Sequence, residues 1–313
     1  MADPLLADHK IFDEAVLTEV RPGRSIHLLH LVAPDTKDGG TPDSEKITYF
    51  FVHGSMATMQ QFEGQITGLA ATSDIVAWDA YGCGKSPKPW EWDAYSHKEH
   101  YQDLETIFET YRGPRNVVVG HSYGASMALQ LASAHARDQD KPIVSVVCIG
   151  PGFGPKHYPS GSIRLFRYPL VLLQLLAPLL RMGFLQRAVH AVTLERKTAT
   201  HDRLVARILA SAGGNPMHVC KAFYQQMEWT TAEELAPLAA PVLILVGEGD
   251  RMIPPAYSQA LADTLLSLRQ HMPAPPPVLL HPLPNTSHQL MQEEPETTTG
   301  LIRDFVLHHA QLT

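Results

Sequence analysis

The chain has 313 residues, 44% of them apolar and 18% charged, which is enough to bury a full-size core and too apolar for a disordered protein. A formal net charge of −7 argues against nucleic acid as a partner for the chain as a whole. The three cysteines, Cys83, Cys148 and Cys220, are odd in number and scattered, which suggests neither a disulfide framework nor a zinc knuckle and fits a reducing compartment.

The stretch from Met1 to Lys10 lacks the basic start and apolar run of a secretory signal, so a cytoplasmic location is expected. Strands are expected at 15–20 and 26–32, joined by Arg21-Pro22-Gly23-Arg24 into an antiparallel edge hairpin. Further strands are expected at 47–52, 75–79, 117–120, 143–149, 242–246 and 278–281, with helices near 97–111, 124–136, 256–270 and 294–309. This alternation predicts an α/β fold, a mostly parallel sheet covered by helices on both faces. Polar stretches at 34–45 and 273–277 read as surface loops.

The alternation breaks between Gly150 and about Thr230, dividing the chain into a first core segment (residues 1–150), a helical insertion (residues 151–232) and a second core segment (residues 233–313). Between Gly152 and Arg207 there are nine basic and two acidic residues, so that stretch carries +7 and the remainder −14. Amphipathic helices are expected over 163–192, with Leu165, Phe166, Leu170, Leu173, Leu176, Leu180, Phe184 and Leu185 as the apolar side and arginines as polar partners. The most apolar stretch, 168–180, is interrupted by Pro169, Gln174 and Pro178 and falls short of the roughly 20 residues that span a bilayer, so no transmembrane segment is expected. The insertion is expected to cap an active site, recognise an acyl chain and touch anionic lipid or phosphate-bearing head groups peripherally. The alternative is that its leucines simply pack on the core while its arginines are solvated.

The chemistry centres on Val117-Val118-Val119-Gly120-His121-Ser122-Tyr123-Gly124. A serine between two glycines, where a β-branched strand gives way to a small-residue helix, is a nucleophile elbow: the glycines remove side chains that would collide, and the helix dipole faces the serine. A serine hydroxyl is a poor nucleophile at neutral pH and needs an imidazole to take its proton and a carboxylate to orient that imidazole. Asp250 lies just beyond the strand 242–246 and His288 follows the last strand, giving the chain order Ser, Asp, His. Glu248 is a rival carboxylate. Two N–H donors are needed for the oxyanion, and the amides of Tyr123 and of Ser55, in the loop His53-Gly54-Ser55, are the candidates. His121 reads as a support of the turn and His53 as a loop organiser. The tract Asp79-Ala80-Tyr81-Gly82-Cys83-Gly84-Lys85-Ser86 ends like a phosphate-binding loop but has Asp79 where that motif requires glycine.

Together the His-Gly loop, the tract from Asp79 to Ser86, the elbow, the Asp250 loop and Ser287-His288 before a closing helix resemble the α/β-hydrolase superfamily over roughly 47–307. Residues 115–124 and 287–296 are similar to a subgroup of α/β-hydrolase domain-containing proteins. The resemblance implies an α/β-hydrolase fold with an eight-stranded, mostly parallel sheet and an inserted helical cap, no cofactor or metal, and catalysis by Ser122, Asp250 and His288. Relatives of that subgroup carry acyltransferase activity attributed to His-x-x-x-x-Asp; here Glu293 stands at the fifth position after His288. Ser122 departs from the epoxide hydrolase and dehalogenase branches, which need an aspartate there. The expected activity is hydrolysis of a lipid or other acyl ester, rising with pH as the imidazole becomes neutral. An amidase, thioesterase, acyltransferase or carbon–carbon hydrolase would use the same residues, and an inactive binding or scaffold protein is the reading from another class.

Overall fold

The computed structural model describes residues 10–34, 46–154, 164–190, 202, 204–209 and 214–309. Lys156, Arg196, Lys197 and Arg203 of the basic stretch, nearly all of the loop at 34–45 and residues 1–9 lie outside the described residues.

Eight strands form one sheet: β1 (Val16–Arg21), β2 (Arg24–Leu31), β3 (Ile47–Val52), β4 (Asp74–Asp79), β5 (Arg115–His121), β6 (Ile143–Ile149), β7 (Val242–Gly247) and β8 (Val278–Leu283). Their order is β1-β2-β4-β3-β5-β6-β7-β8. The hairpin of β1 and β2 turns on Pro22-Gly23 with Gly23 at φ +73°, and β2 also runs antiparallel to β4. All remaining pairs are parallel, so the expected edge hairpin and parallel body are both present.

Successive side chains of a strand point to opposite faces, and both faces here are apolar because helices cover both. On one face Phe50, Val118, Val146 and Ile244 pack with α2 (His97–Tyr111), α3 (Tyr123–Ala134) and α7 (Pro255–Arg269) through Leu104, Phe108, Leu131, Leu261 and Leu265. On the other, Phe51, Val117, Val119, Leu243 and Leu245 pack with α1 (Glu63–Leu69) and α9 (Pro295–His309) through Ile66, Leu69, Ile302 and Phe305. Helix α1 is not among the expected elements; its seven residues carry Gly64 and Gly68, which weaken a periodic signal.

Between β6 and β7 lie α4 (Leu170–Ala188), α5 (Met217–Gln226) and α6 (Ala232–Leu235). Helix α4 corrects two expectations. The predicted apolar stripe does face inward, with Leu173 buried and Leu170, Leu176, Leu180, Phe184 and Leu185 half-buried. The opposite face is apolar too, exposing Val171, Leu172, Leu175, Leu179 and Met182, so the helix is not amphipathic. It also continues through Pro178, giving up the hydrogen bond that the proline nitrogen cannot donate. Its 19 residues are therefore long and apolar enough, by length and composition, to cross a membrane, contrary to the expectation from the shorter stretch. All three cysteines are buried, free thiols.

Candidate active site

The carboxyl ends of β3, β5, β6, β7 and β8 converge on one cavity. At the end of β5, Ser122 adopts φ +54° and ψ −118°, a sparsely populated region for any residue with a side chain. Its N–H donates to Ile149 O on the neighbouring strand at 2.8 Å. The flanking glycines are sterically required: a Cβ on Gly120 would lie 2.3 Å from Gly124 O, and one on Gly124 would lie 2.2 Å from Val52 O. The turn thus brings Ser122 to the cavity wall while its backbone stays tied to β6.

Asp250 and His288 meet across loops that follow β7 and β8. His288 Nδ1 lies 2.7 Å from Asp250 Oδ2, both side chains being almost wholly buried. The other carboxylate oxygen, Oδ1, accepts the N–H groups of Met252 at 2.8 Å and Ile253 at 2.9 Å, which fixes its orientation. Glu248 is exposed, so of the two carboxylates only Asp250 reaches the imidazole. His288 lines the same cavity as Ser122, and with Nδ1 engaged by Asp250, Nε2 is the ring nitrogen left for chemistry.

His121 reaches beyond its own turn. Its Nε2–H donates to His288 O at 2.9 Å, with the two rings 4.6 Å apart, so it braces the histidine loop. Burial, aided by the nearby His288 ring, holds its pKa well below the ordinary imidazole range and keeps it neutral.

The loop after β3 reaches the nucleophile from the other side. A Cβ on Gly54 would come within 3.3 Å of Ser122 Cβ, and Ser55, half-buried, lines the cavity next to it. The Tyr123 amide lies in the first turn of α3, where N–H groups have no carbonyl a turn earlier to bond. His53 organises its loop as expected: Nε2 accepts from Ala80 N at 2.8 Å, which leaves Nδ1–H to donate to Gly54 O at 2.7 Å. Burial lowers its pKa as well.

The tract after β4 is structural. Asp79 Oδ1 accepts from Met59 N, and Oδ2 accepts from Lys85 N and faces His27 Nδ1. Burial alone would raise the pKa of this carboxyl, but the hydrogen bonds from His27, Lys85 and Met59 outweigh it and hold it below the usual carboxylate range. Gly84 sits so tightly on this carboxylate that a Cβ there would lie 2.1 Å from Oδ2. The Lys85 amide, one that a phosphate would need, is already occupied.

The cavity, about 130 Å³, is mostly apolar. Phe153, Phe184, Tyr224, Met227, Trp229 and Tyr257 supply much of its wall. Only Phe184 of these stands out in the sequence, and as a member of an apolar stripe. The others sit after strand ends, on helices or just past a helix end, separated by long stretches, so no periodic pattern marks them. Tyr123 points away from the cavity into a cluster, its hydroxyl 2.6 Å from His97 Nδ1 and its ring edge-on to Phe223 and Trp229.

The sequence pattern of the family described as "Alpha/beta hydrolase family" matches residues 49–299. The chain belongs to the alpha/beta hydrolase family. It is similar to the Protein ABHD8 of Homo sapiens, 28% identical over 290 residues that make up 92% of this chain and 60% of that protein. The chain thus spans about three fifths of the length of that relative. Among solved structures, it resembles a thermophilic esterase from Thermogutta terrifontis with TM-score 0.68 and 20% identity, covering 94% of this chain and 98% of that one. The enol-lactonase from Burkholderia xenovorans LB400 has TM-score 0.70 and 17% identity, covering 93% of this chain and 100% of that one. At these identities the structures establish the fold, the expected mostly parallel eight-stranded α/β-hydrolase sheet.

Proposed function

We propose that the chain is a serine hydrolase that cleaves a carboxylic ester through an acyl-enzyme on Ser122. The observation that carries this reading is the 2.7 Å contact of His288 with Asp250 on the wall of the cavity that also exposes Ser122. In this reading His288 takes the proton of Ser122 as the hydroxyl attacks the ester carbonyl, and Asp250 keeps Nδ1 protonated so that Nε2 can accept. The amides of Tyr123 and Ser55 hold the oxyanion, each worth on the order of 10²- to 10³-fold in rate. His288 then returns the proton to the leaving alcohol, and water repeats the sequence to free the acid. A fluorophosphonate probe is expected to label the folded wild type and leave Ser122→Ala unlabelled; an unlabelled wild type would favour a scaffold protein.

The inserted helical segment serves as the cap in this proposal, since Gly152, Phe153, Phe184, Tyr224, Met227 and Trp229 come from it. The wall selects an apolar acyl group. An engineered apolar cavity of about 150 Å³ holds a benzene ring, so a space of this size suits acyl chains of roughly four to eight carbons. On p-nitrophenyl esters kcat/KM is therefore expected to peak in that range and fall for longer chains; a profile rising steadily to sixteen carbons would instead favour a long-chain lipid.

His53 and His121 are held neutral by burial, so neither should titrate where catalysis begins. Their depressed pKa values mean both are already unprotonated as pH rises, so neither adds a proton to the one that the general base of the proposed mechanism must lose. The acid limb of log kcat/KM against pH is expected to have a slope of one; a slope of two would bring in a second group.

The outward face of α4 is proposed to rest on an anionic lipid surface. Its exposed apolar residues are accompanied by exposed Arg167, Arg181 and Arg187, with no acid in the helix. Co-sedimentation with vesicles containing phosphatidylserine is expected for the wild type and lost in Leu175→Glu; equal recovery of both in the supernatant would remove the membrane contact.

A further inference from the structure

We infer that Glu293 is a positioning residue that ties the end of the apolar helix α4 to the loop carrying His288, an inference that rests on the serine hydrolase reading. Glu293 closes the short helix α8 (Leu290–Glu293). Its carboxylate spans two segments far apart in sequence. Oε2 accepts Ser287 N at 2.6 Å, and Oε1 accepts His190 N at 2.7 Å. Hydrogen bonds to an ionised acceptor are shorter and roughly twice as strong as neutral ones.

The same junction is stitched at two more points, Arg187 O and Ala188 O, and the His288 loop is also tied to the loop before Asp250. Ser287 Oγ lies within donating distance of Gly249 O at 3.0 Å and Arg187 O at 3.2 Å, and Gln289 N donates to Ala188 O at 3.1 Å. The ring of His190 packs so closely on Gly249 that a Cβ there would lie 2.4 Å from its Cδ2. Residues on both sides of His288, and the residue before Asp250, are thus bonded to or packed on the segment that ends α4. Phe184, one turn earlier on that helix, lines the substrate cavity. The helix that touches the acyl group is therefore joined to the loop that holds the base.

Glu293→Gln would place an NH2 where one of the two backbone N–H groups needs an acceptor, pushing that segment away. The 2.7 Å contact of His288 with Asp250 would be the first geometry to loosen. A misplacement of about 1 Å costs on the order of 10²-fold in rate. Glu293→Asp keeps the charge but is one methylene short, so it reaches only one of the two amides.

The test uses the full chain as wild type, Glu293→Gln, Glu293→Asp and, as a neighbouring control, the exposed Glu294→Gln. The rate of fluorophosphonate labelling, its endpoint and the hydrolysis of p-nitrophenyl butyrate are measured. A variant that merely folds less well lowers the labelling endpoint and leaves the rate of the folded fraction unchanged. A displaced base lowers the rate. For Glu293→Gln we expect labelling rate and kcat down about 10²-fold with KM within about threefold; Glu293→Asp should be intermediate and Glu294→Gln unchanged. Wild-type labelling rates in both Glu293 variants would overturn the inference while leaving the serine hydrolase reading intact. An unlabelled wild type would remove that reading, and this inference with it. Should Glu293→Gln fail to fold, Glu293→Asp decides alone: a slower rate at full endpoint supports the clamp and a wild-type rate overturns it.

Discussion

Ser122→Ala is expected to lower kcat by about 10⁵- to 10⁶-fold with little change in KM or melting temperature. Removing one oxygen deletes the nucleophile of the proposed mechanism. The methyl group of alanine fits the position, because the strain at Ser122 belongs to the backbone, at φ +54°, and both residues carry a Cβ. The fold and the apolar cavity should therefore persist, and substrate should still bind. In the proposed mechanism nucleophile and base act as a unit, so Ser122→Ala with His288→Ala should be no slower than either alone. Steady-state rates with the three variants check this. A loss of less than about 100-fold in Ser122→Ala would mean that the reaction does not pass through an acyl-serine.

Asp250→Asn is expected to reduce kcat by about 10⁴-fold while the protein stays folded. The Asp250 carboxylate is shared: Oδ1 accepts two backbone N–H groups, and Oδ2 faces His288 Nδ1. An asparagine keeps its carbonyl on the amides of Met252 and Ile253, which turns its NH2 toward the ring. Nδ1 must then accept, the ring proton moves to Nε2, and the imidazole presents a donor where the serine proton needs an acceptor. The variant should melt close to the wild type and be labelled by the fluorophosphonate correspondingly slowly. A loss smaller than about tenfold would show that some other group sets the tautomer of His288.

Much of this site can be read along the chain because its constraints are local. The elbow is legible since the clashes that demand glycine at 120 and 124 arise within one turn and from the adjacent strand. Strands β3 and β6 fall at the expected residues because buried parallel strands are continuous apolar runs with clear ends. Spacing alone does not separate Asp250 from Glu248. What separates them is that two amides in the following turn hold Asp250 inward, while Glu248 faces solvent. Helix α4 departs from its expectation because a proline reads as an end, and because periodicity finds an apolar stripe without revealing that the opposite side is apolar as well.

The sequence by itself determined the eight strands, four of the helices that cover them, the turn that presents Ser122 and the loops that carry Asp250 and His288. Each of these depends on backbone sterics and hydrophobic periodicity acting over a few residues. The tertiary structure alone decided the lining of the cavity, the brace from His121 to the His288 loop and the clamp of Glu293 on His190 and Ser287. The brace and the bond to His190 join segments far apart along the chain, and they exist only once burial has brought those segments together.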